Sequence, residues 1–365
     1  MLSYAKSART QTITTEVHYR KMGSGKTTSF DIAHRAGVSQ ATVSRALRNS
    51  PLVNPETRQR VQQIAREMNY RVDRSAAGLR SQRSKTLAVL LFPDPTSDDS
   101  QINPFFLSML GNITRCAAAE KYDVLVSFQQ LSDDWLYEYE VSNRADGIIL
   151  LGYGDYGSIA DKLKRLHNDG AHFVIWGATA PELDGHAIGS RNSQGGEMAA
   201  RHLLSLGRTR IAFLGGTGDA CPEFQQRYHG YCQALRSTGL PVRAELQIEA
   251  DNRETSGFEA MTRLLDSGEP FDAVFAASDL IAIGAMRCMR KAGLDIPGDV
   301  SVVGFDDIPA ASYSTPALTT VRQDTRKAAR TLVKNLLAMI EGQPGKSRQL
   351  PMTLAIRGSC GGRER

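Results

Sequence analysis

Gln40, Ala41, Ser44 and Arg45 stand at the spacing of one helix face, and two of them are base-reading side chains. A glutamine amide pairs with adenine through two hydrogen bonds, and an arginine fork does the same with guanine. Arg45 is equally suited to hold a phosphate, and both readings stay open. A second set lies far along the chain: Arg227 in RYHGY, Asp306 and Asp307 in GFDD, and Gln323 in VRQD. An arginine donating in a fork beside an accepting carboxylate holds vicinal hydroxyls well, which suits a sugar. The competing reading for each is a structural hydrogen bond at a domain joint.

Other chemistry is poorly supported. The seven histidines are scattered, and none stands in an H-E-x-x-H or nucleophile-elbow setting, so no base or nucleophile can be named. Gly23 to Thr28, GSGKTT, invites a phosphate-loop reading, but that pattern needs a glycine where Arg20 stands and an apolar strand before it. Gly152 to Gly157, GYGDYG, matches a dinucleotide fingerprint literally; the acidic residue that should end the next strand is absent, and a flexible cleft loop is the simpler reading. Five cysteines, odd in number and without C-x-x-C spacing, indicate neither a disulfide framework nor a zinc site. We expect no cofactor and no enzymatic activity.

The base-reading residues need a rigid helix, and the flanking sequence supplies one. Thr28 can cap a helix, with Asp31 three residues on and Ile32, Ala33 and Ala36 as its apolar side. Gly37 ends it, Ser39 caps the next helix, and Val43, Ala46 and Leu47 face inward there. Asn54 with Pro55 and Glu56 start a third helix, in which Val61, Ile64, Ala65 and Met68 recur at helical spacing. This is a helix-turn-helix in a three-helix head, with the second helix free to enter a major groove. Charge agrees: residues 29–85 carry eleven Lys and Arg against four Asp and Glu, whereas residues 86–365 carry 28 against 34. A basic head on an acidic body is the footprint of a protein that meets phosphates at one end.

From Thr86 onward the apolar runs LAVLLF, DVLVSF, GIILL, FVIW, RIAFLG, DAVFAAS and SVVGFDD alternate with helical patterns. Such runs signal two parallel sheets covered on both faces, with ligands at the carboxyl ends of strands. With 365 residues, 41% of them hydrophobic, the chain is ample for a small head and a two-lobed body. No apolar run approaches the roughly 20 residues of a membrane span, and the N-terminus lacks a signal peptide's apolar core, so a cytoplasmic protein without membrane partners is expected. Met22, just before the first motif, is an alternative start.

AGVSQATVSRALRNSPLVNPETRQRV, followed by INPFF, SVVGFDD and PALTTVRQD, resembles the lactose-repressor and galactose-repressor family of bacterial transcription regulators. The likeness runs from about Thr28 to Ser359. It implies an α/β protein: an N-terminal helix-turn-helix head plus a two-lobed, periplasmic-binding-protein-like, parallel-sheet body. The expected divisions are a flexible extension (1–27), a DNA-binding domain (28–73), a hinge (74–85) and an effector-binding and dimerisation domain (86–365). Lobe 1 would be about 86–190 with 324–350, and lobe 2 about 191–323 with 351–365.

The resemblance also implies roles. A homodimer would bind double-stranded, near-palindromic operator DNA, with Gln40, Ala41 and Arg45 on base edges and Thr28, Ser39, Ser44, Asn49 and Arg58 positioning the backbone. Leu79 would wedge between base pairs from a hinge helix in the minor groove; packing on a neighbouring helix is its alternative. Arg227, Asp306 and Gln323 would hold a small-molecule effector in the cleft, a sugar or sugar phosphate, joined by Ser278. Two departures bear on that ligand. The family usually shows Asp-Asn at the start of the second lobe; Arg191-Asn192 replaces the acceptor by a fixed charge and admits an anionic effector. Where the family commonly has an aromatic near Asp251, this chain has Asn252; Phe105 or Trp176 could substitute, though either also suits the core. A corepressor-dependent repressor, an activator and a sugar-sensing solute-binding protein are the alternatives.

Overall fold

The computed structural model describes residues 27–70, 83–92, 102–128, 134–152, 156–177, 183–218 and 221–362. The extension to residue 26, the hinge with Leu79 and the middle of the Gly152–Gly157 loop lie outside the described residues. The chain divides into two units, residues 1–77 and 78–365.

In the first unit, α1 (Ser29–Ala36) is closed by a capping box: the Thr28 amide donates to Asp31 Oδ2 at 2.8 Å, and the Asp31 amide donates back to Thr28 Oγ1. These bonds to Thr28 hold the Asp31 carboxyl below its usual range. Gly37, at φ +61°, takes the left-handed conformation that lets the chain turn into α2 (Gln40–Leu47), whose Ser39 cap accepts from the Thr42 amide. α3 (Pro55–Glu67) begins at Asn54 with proline at its first turn. Ile32, Val43 and Val61, fully buried, meet in one small core, and Leu47 packs half-buried at its edge. Gln62 Nε2 ties α3 to the end of α2 by donating to Ala46 O and Asn49 Oδ1.

The second unit holds two six-stranded sheets. The first runs β11-β5-β4-β3-β1-β2, built from β1 (Thr86–Leu91), β2 (Asp123–Phe128), β3 (Gly147–Leu151), β4 (Phe173–Trp176), β5 (Ala187–Ser190) and the late β11 (Arg348–Leu350), all parallel. The second runs β12-β10-β9-β8-β6-β7: β6 (Ile211–Leu214), β7 (Gln247–Ile248), β8 (Ala273–Ala276), β9 (Ser301–Asp306), β10 (Thr319–Arg322) and β12 (Thr353–Ala355), with β12 alone antiparallel. The chain thus passes between the sheets three times, after Ser190, after Arg322 and after Leu350. Central strands β1, β3, β4, β6, β8 and β9 are buried almost throughout, as near-continuous apolar runs between helical layers require. Edge strand β2 is half-exposed.

The first sheet also carries an ion pair outside any cleft. A π-turn at Tyr137–Val141 presents Glu140, which accepts from the His172 backbone amide at 2.8 Å and pairs with His172 Nδ1 at 2.9 Å. The Glu140 hydrogen bond raises the imidazole pKa above its ordinary 6.5, against partial burial. Because the folded value is the higher one, the stabilisation is complete below the unfolded pKa and is lost as pH climbs through the folded one. The urea midpoint should therefore fall as pH rises through neutrality, by less in Glu140→Gln; parallel pH profiles for the two proteins would rule the pair out as the cause.

Candidate nucleic-acid interface and ligand cleft

Helix α2 places its candidates unevenly. Ala41 and Arg45 are exposed; Gln40 and Ser44 are half-buried. Gln40 Nε2 donates to Ser29 Oγ at 3.2 Å, so α1 fixes its amide in direction. Ser44 Oγ accepts from Arg48 Nη2 at 3.0 Å. Sequence reasoning passed over Arg48; its spacing of three from Arg45 is the signal that could have found it, since both then share a helix flank. Thr28 and Ser39 are exposed caps whose oxygens already accept from the helix amides. Asn49, at φ +55°, accepts from Gln62. Arg58 donates to Val53 O through Nη2, while its buried Nε has no partner.

In the body, the carboxyl ends of the second sheet gather a charged cluster. Arg227, on α7 (Pro222–Ser237), is only 1% exposed. To hold α7 in chain order, α4 is Pro104–Ala119, α5 Tyr156–Asn168 and α6 Asn192–Ser205. Arg227 Nη1 donates to Ala277 O at 2.6 Å and lies 3.5 Å from Asp306 Oδ1; Nε donates to Asn192 Oδ1 at 3.0 Å. Its guanidinium stands 3.7 Å over the Phe305 ring. Gln323 Nε2 donates to Asp306 Oδ1 at 2.7 Å. Asp306 and Asp307 take positive φ, 110° and 56°, a strained turn for two non-glycine residues that the packing must enforce. Asp307 is pinned by Arg322 and Arg357 at 2.5 Å each. Asp279 lies fully buried behind them, accepting from Ile308 N and Thr320 Oγ1. Burial and the Asp306 carboxylate push its own carboxyl well above the usual range.

Asp306 and Gln323 share the wall of a cavity of about 780 Å³ with Phe105 of α4, so both sheet units contribute to it. Phe105 is also core, packed at 6.0 Å on Trp176. Ser278 is fully buried, and its hydroxyl caps the following helix by accepting from the Ile281 amide. Arg191 is exposed at the cap of α6. The structure therefore links Arg227 and Gln323 through Asp306, places Asp306, Gln323 and Phe105 on the cavity wall, and sets Arg227, Ser278 and Arg191 outside it. Asn192, which orients Arg227, gave no sequence signal beyond its place after Arg191.

Comparison with known proteins completes these observations. A profile for "Bacterial regulatory proteins, lacI family" matches residues 30–73, and one for "Periplasmic binding protein-like domain" matches residues 200–360. The chain is 32% identical to the HTH-type transcriptional repressor CytR of Escherichia coli (strain K12), over 91% of this chain and 96% of that one. It is also 32% identical to the probable HTH-type transcriptional repressor ExuR of Bacillus subtilis (strain 168), over 88% and 93%. Among solved structures, the lac repressor dimer bound to operator and the anti-inducer ONPF superposes with a TM-score of 0.79 at 26% identity, covering 92% of this chain and 99% of that one. The CelR–cellobiose complex gives 0.68 at 28%, covering 92% and 100%. No helix among the described residues is long and apolar enough to cross a membrane.

Proposed function

The chain belongs to the lacI family of bacterial regulatory proteins and is a DNA-binding transcriptional regulator; we propose that it is a homodimeric repressor released from a near-palindromic operator by a small carbohydrate. In this reading residues 28–73 bind DNA, 74–85 form the hinge and 86–365 bind effector and dimerise, following an extension over 1–27. Gln40, Ala41 and Arg45 face base edges; Thr28, Ser39, Ser44, Asn49 and Arg58 position the phosphates; Leu79 wedges the operator centre. Arg227, Asp306 and Gln323 bind the effector, with Phe105 on the opposite lobe, and Ser278 and Arg191 act at the periphery. The body binds its ligand and releases it unchanged.

The observation that carries the effector reading is the Arg227–Asp306–Gln323 cluster at strand carboxyl ends beside a cavity walled by both lobes. An arginine fork and a carboxylate in one place hold adjacent hydroxyls. Effector closing the lobes on each other would change the separation of the two hinges in the dimer, the two-state element both ligands bias. Linkage then requires DNA to weaken effector binding by the factor with which effector weakens DNA binding.

Fluorescence anisotropy on the protein's own upstream DNA, across salt concentrations and with sugars and sugar phosphates, tests the whole scheme. A steep salt slope, expected from roughly 6 to 10 phosphate contacts, with one sugar that lowers affinity, supports it; binding indifferent to sequence and salt overturns it. A sugar that raises affinity would make the protein a corepressor-dependent regulator. Within that assay Arg45→Met should cost about 1–3 kcal/mol on the specific site with the salt slope unchanged. A slope reduced by about one, with equal losses on all sequences, would move Arg45 to a phosphate.

A further inference from the structure

Between its second and third passages from sheet to sheet the chain forms the helix Thr325–Ile340, a turn and β11. In chain order α8 is Glu254–Ser267, α9 Asp279–Lys291 and α10 Pro309–Tyr313, so this helix is α11. Its buried side, with Ala329, Leu332, Val333 and Leu336, packs on β3, β4 and β5. Its exposed side carries Arg326, Lys327, Arg330 and Lys334, and the helix contains no Asp or Glu. That stands out on a body in which residues 86–365 hold 34 acids against 28 Lys and Arg. Like charges four apart on a helix repel, and Arg330 and Lys334 stand at that spacing.

Arg330, Lys334, Lys346 and Arg348 line one pocket of about 240 Å³ together with Thr331 and Asn335, and no Asp or Glu lines it. All four cations are exposed, and none has a side-chain hydrogen bond or ion pair to another described residue. The backbone beneath them is fixed nonetheless. Asn335 Oδ1 accepts from the Lys346 amide and its Nδ2 donates to Gly185 O, each at 2.8 Å. Ser347 Oγ accepts from the Gly185 amide at 2.8 Å and donates to Leu183 O at 3.2 Å. Arg348 opens β11, in register with Ile188 of β5. The segment carrying two of the cations is thus held against the helix carrying the other two. A concave wall of one sign concentrates its field on whatever enters.

We infer that this pocket is a second ligand site, apart from the cleft, and that it takes a small polyanion of the bisphosphate class. Charge and shape select the ligand together. Two phosphoryl groups, each carrying about −1.5 to −2 at pH 7, balance four fixed positive charges; a lone carboxylate would leave most of their repulsion in place. Arginine forks grip phosphate oxygens in pairs and lysines act as point charges, so the mixture suits an anion with many oxygens. Operator DNA presents its phosphates along a convex surface and is met by charges spread over a face, whereas these converge on a pocket.

The test is calorimetric titration of the full chain with pyrophosphate, inorganic phosphate and citrate at low and physiological salt. Pyrophosphate should bind once per chain, about tenfold more tightly than phosphate, and more weakly as salt rises. Arg330→Gln and Arg348→Gln, one from each wall, should each weaken it about tenfold. Lys334→Glu turns a repelling helical pair into an attracting one, so it should unfold at or above the wild-type temperature while binding pyrophosphate about a hundredfold more weakly. A lower unfolding temperature in Lys334→Glu would assign the cations to the fold and overturn the proposal; if that variant does not fold, the two glutamine variants decide the matter. Wild-type affinity in Arg330→Gln combined with Arg348→Gln would put the anion elsewhere on the protein. Equal and weak affinities for all three anions would reduce the pocket to unselective screening. Either result overturns the site.

Discussion

Arg227→Met should lower the folding free energy of the body by about 3–5 kcal/mol, as read by urea unfolding, and should abolish effector-dependent release from DNA. The size follows from what the guanidinium leaves behind. Asp306 is 3% exposed, and with Arg227 gone its carboxylate keeps Gln323 Nε2 as a neighbour but loses its cation. Ala277 O and Asn192 Oδ1 lose their donors as well. The pair was desolvated by folding; deleting one partner leaves that cost without the attraction that offset it. Asp279, fully buried nearby, already has its pKa raised by Asp306, so the cluster tolerates further uncompensated negative charge poorly. Arg227→Met combined with Asp306→Asn should then be more stable than Arg227→Met alone, because the stranded charge is removed, while effector binding stays lost. A single variant within about 1 kcal/mol of wild type would show that the cluster is not desolvated in solution.

How much of this was legible beforehand depends on whether a signal is local. The caps Thr28, Ser39 and Asn54 act within three residues of themselves, so the head could be drawn from sequence to within a residue or two. The long apolar strands were equally plain. Strands β5, β7 and β11 were not: AIGS, QI and RQL have no apolar run, and they are strands because parallel neighbours hold them in register. In the Arg227–Asp306–Gln323 cluster the residue types stood out in the sequence, but their hydrogen-bond partners did not. Ser278 stands in a loop motif that suits a ligand contact, and the structure employs its hydroxyl as a helix cap. Asn192 and Asn252 are the reverse case. Both are asparagines near helix starts, yet one is matched to Arg227 and the other to nothing, a difference set by helices distant in sequence.

Gly230→Ala should cost the body at least about 1–3 kcal/mol and weaken effector binding without touching a ligand-facing atom. Helices α6 and α7 approach until their backbones meet, and two glycines make that approach possible: a Cβ on Gly196 would run into the Arg227 carbonyl, and one on Gly230 into the Ser193 carbonyl. Both obstacles are main-chain atoms, so no side-chain rotation relieves the clash and the helices must separate. That separation falls on the contact that orients Arg227, because Asn192, one residue before Ser193, holds its Nε. Stability and affinity should therefore drop together in Gly230→Ala, read by urea midpoint and by calorimetry with the sugar that binds wild type. Once the helices have parted, the second obstacle is already relieved, so Gly196→Ala added to Gly230→Ala should cost less than the sum of the two alone. Full additivity, or a Gly230→Ala protein with wild-type affinity, would separate the helix contact from the placement of Arg227.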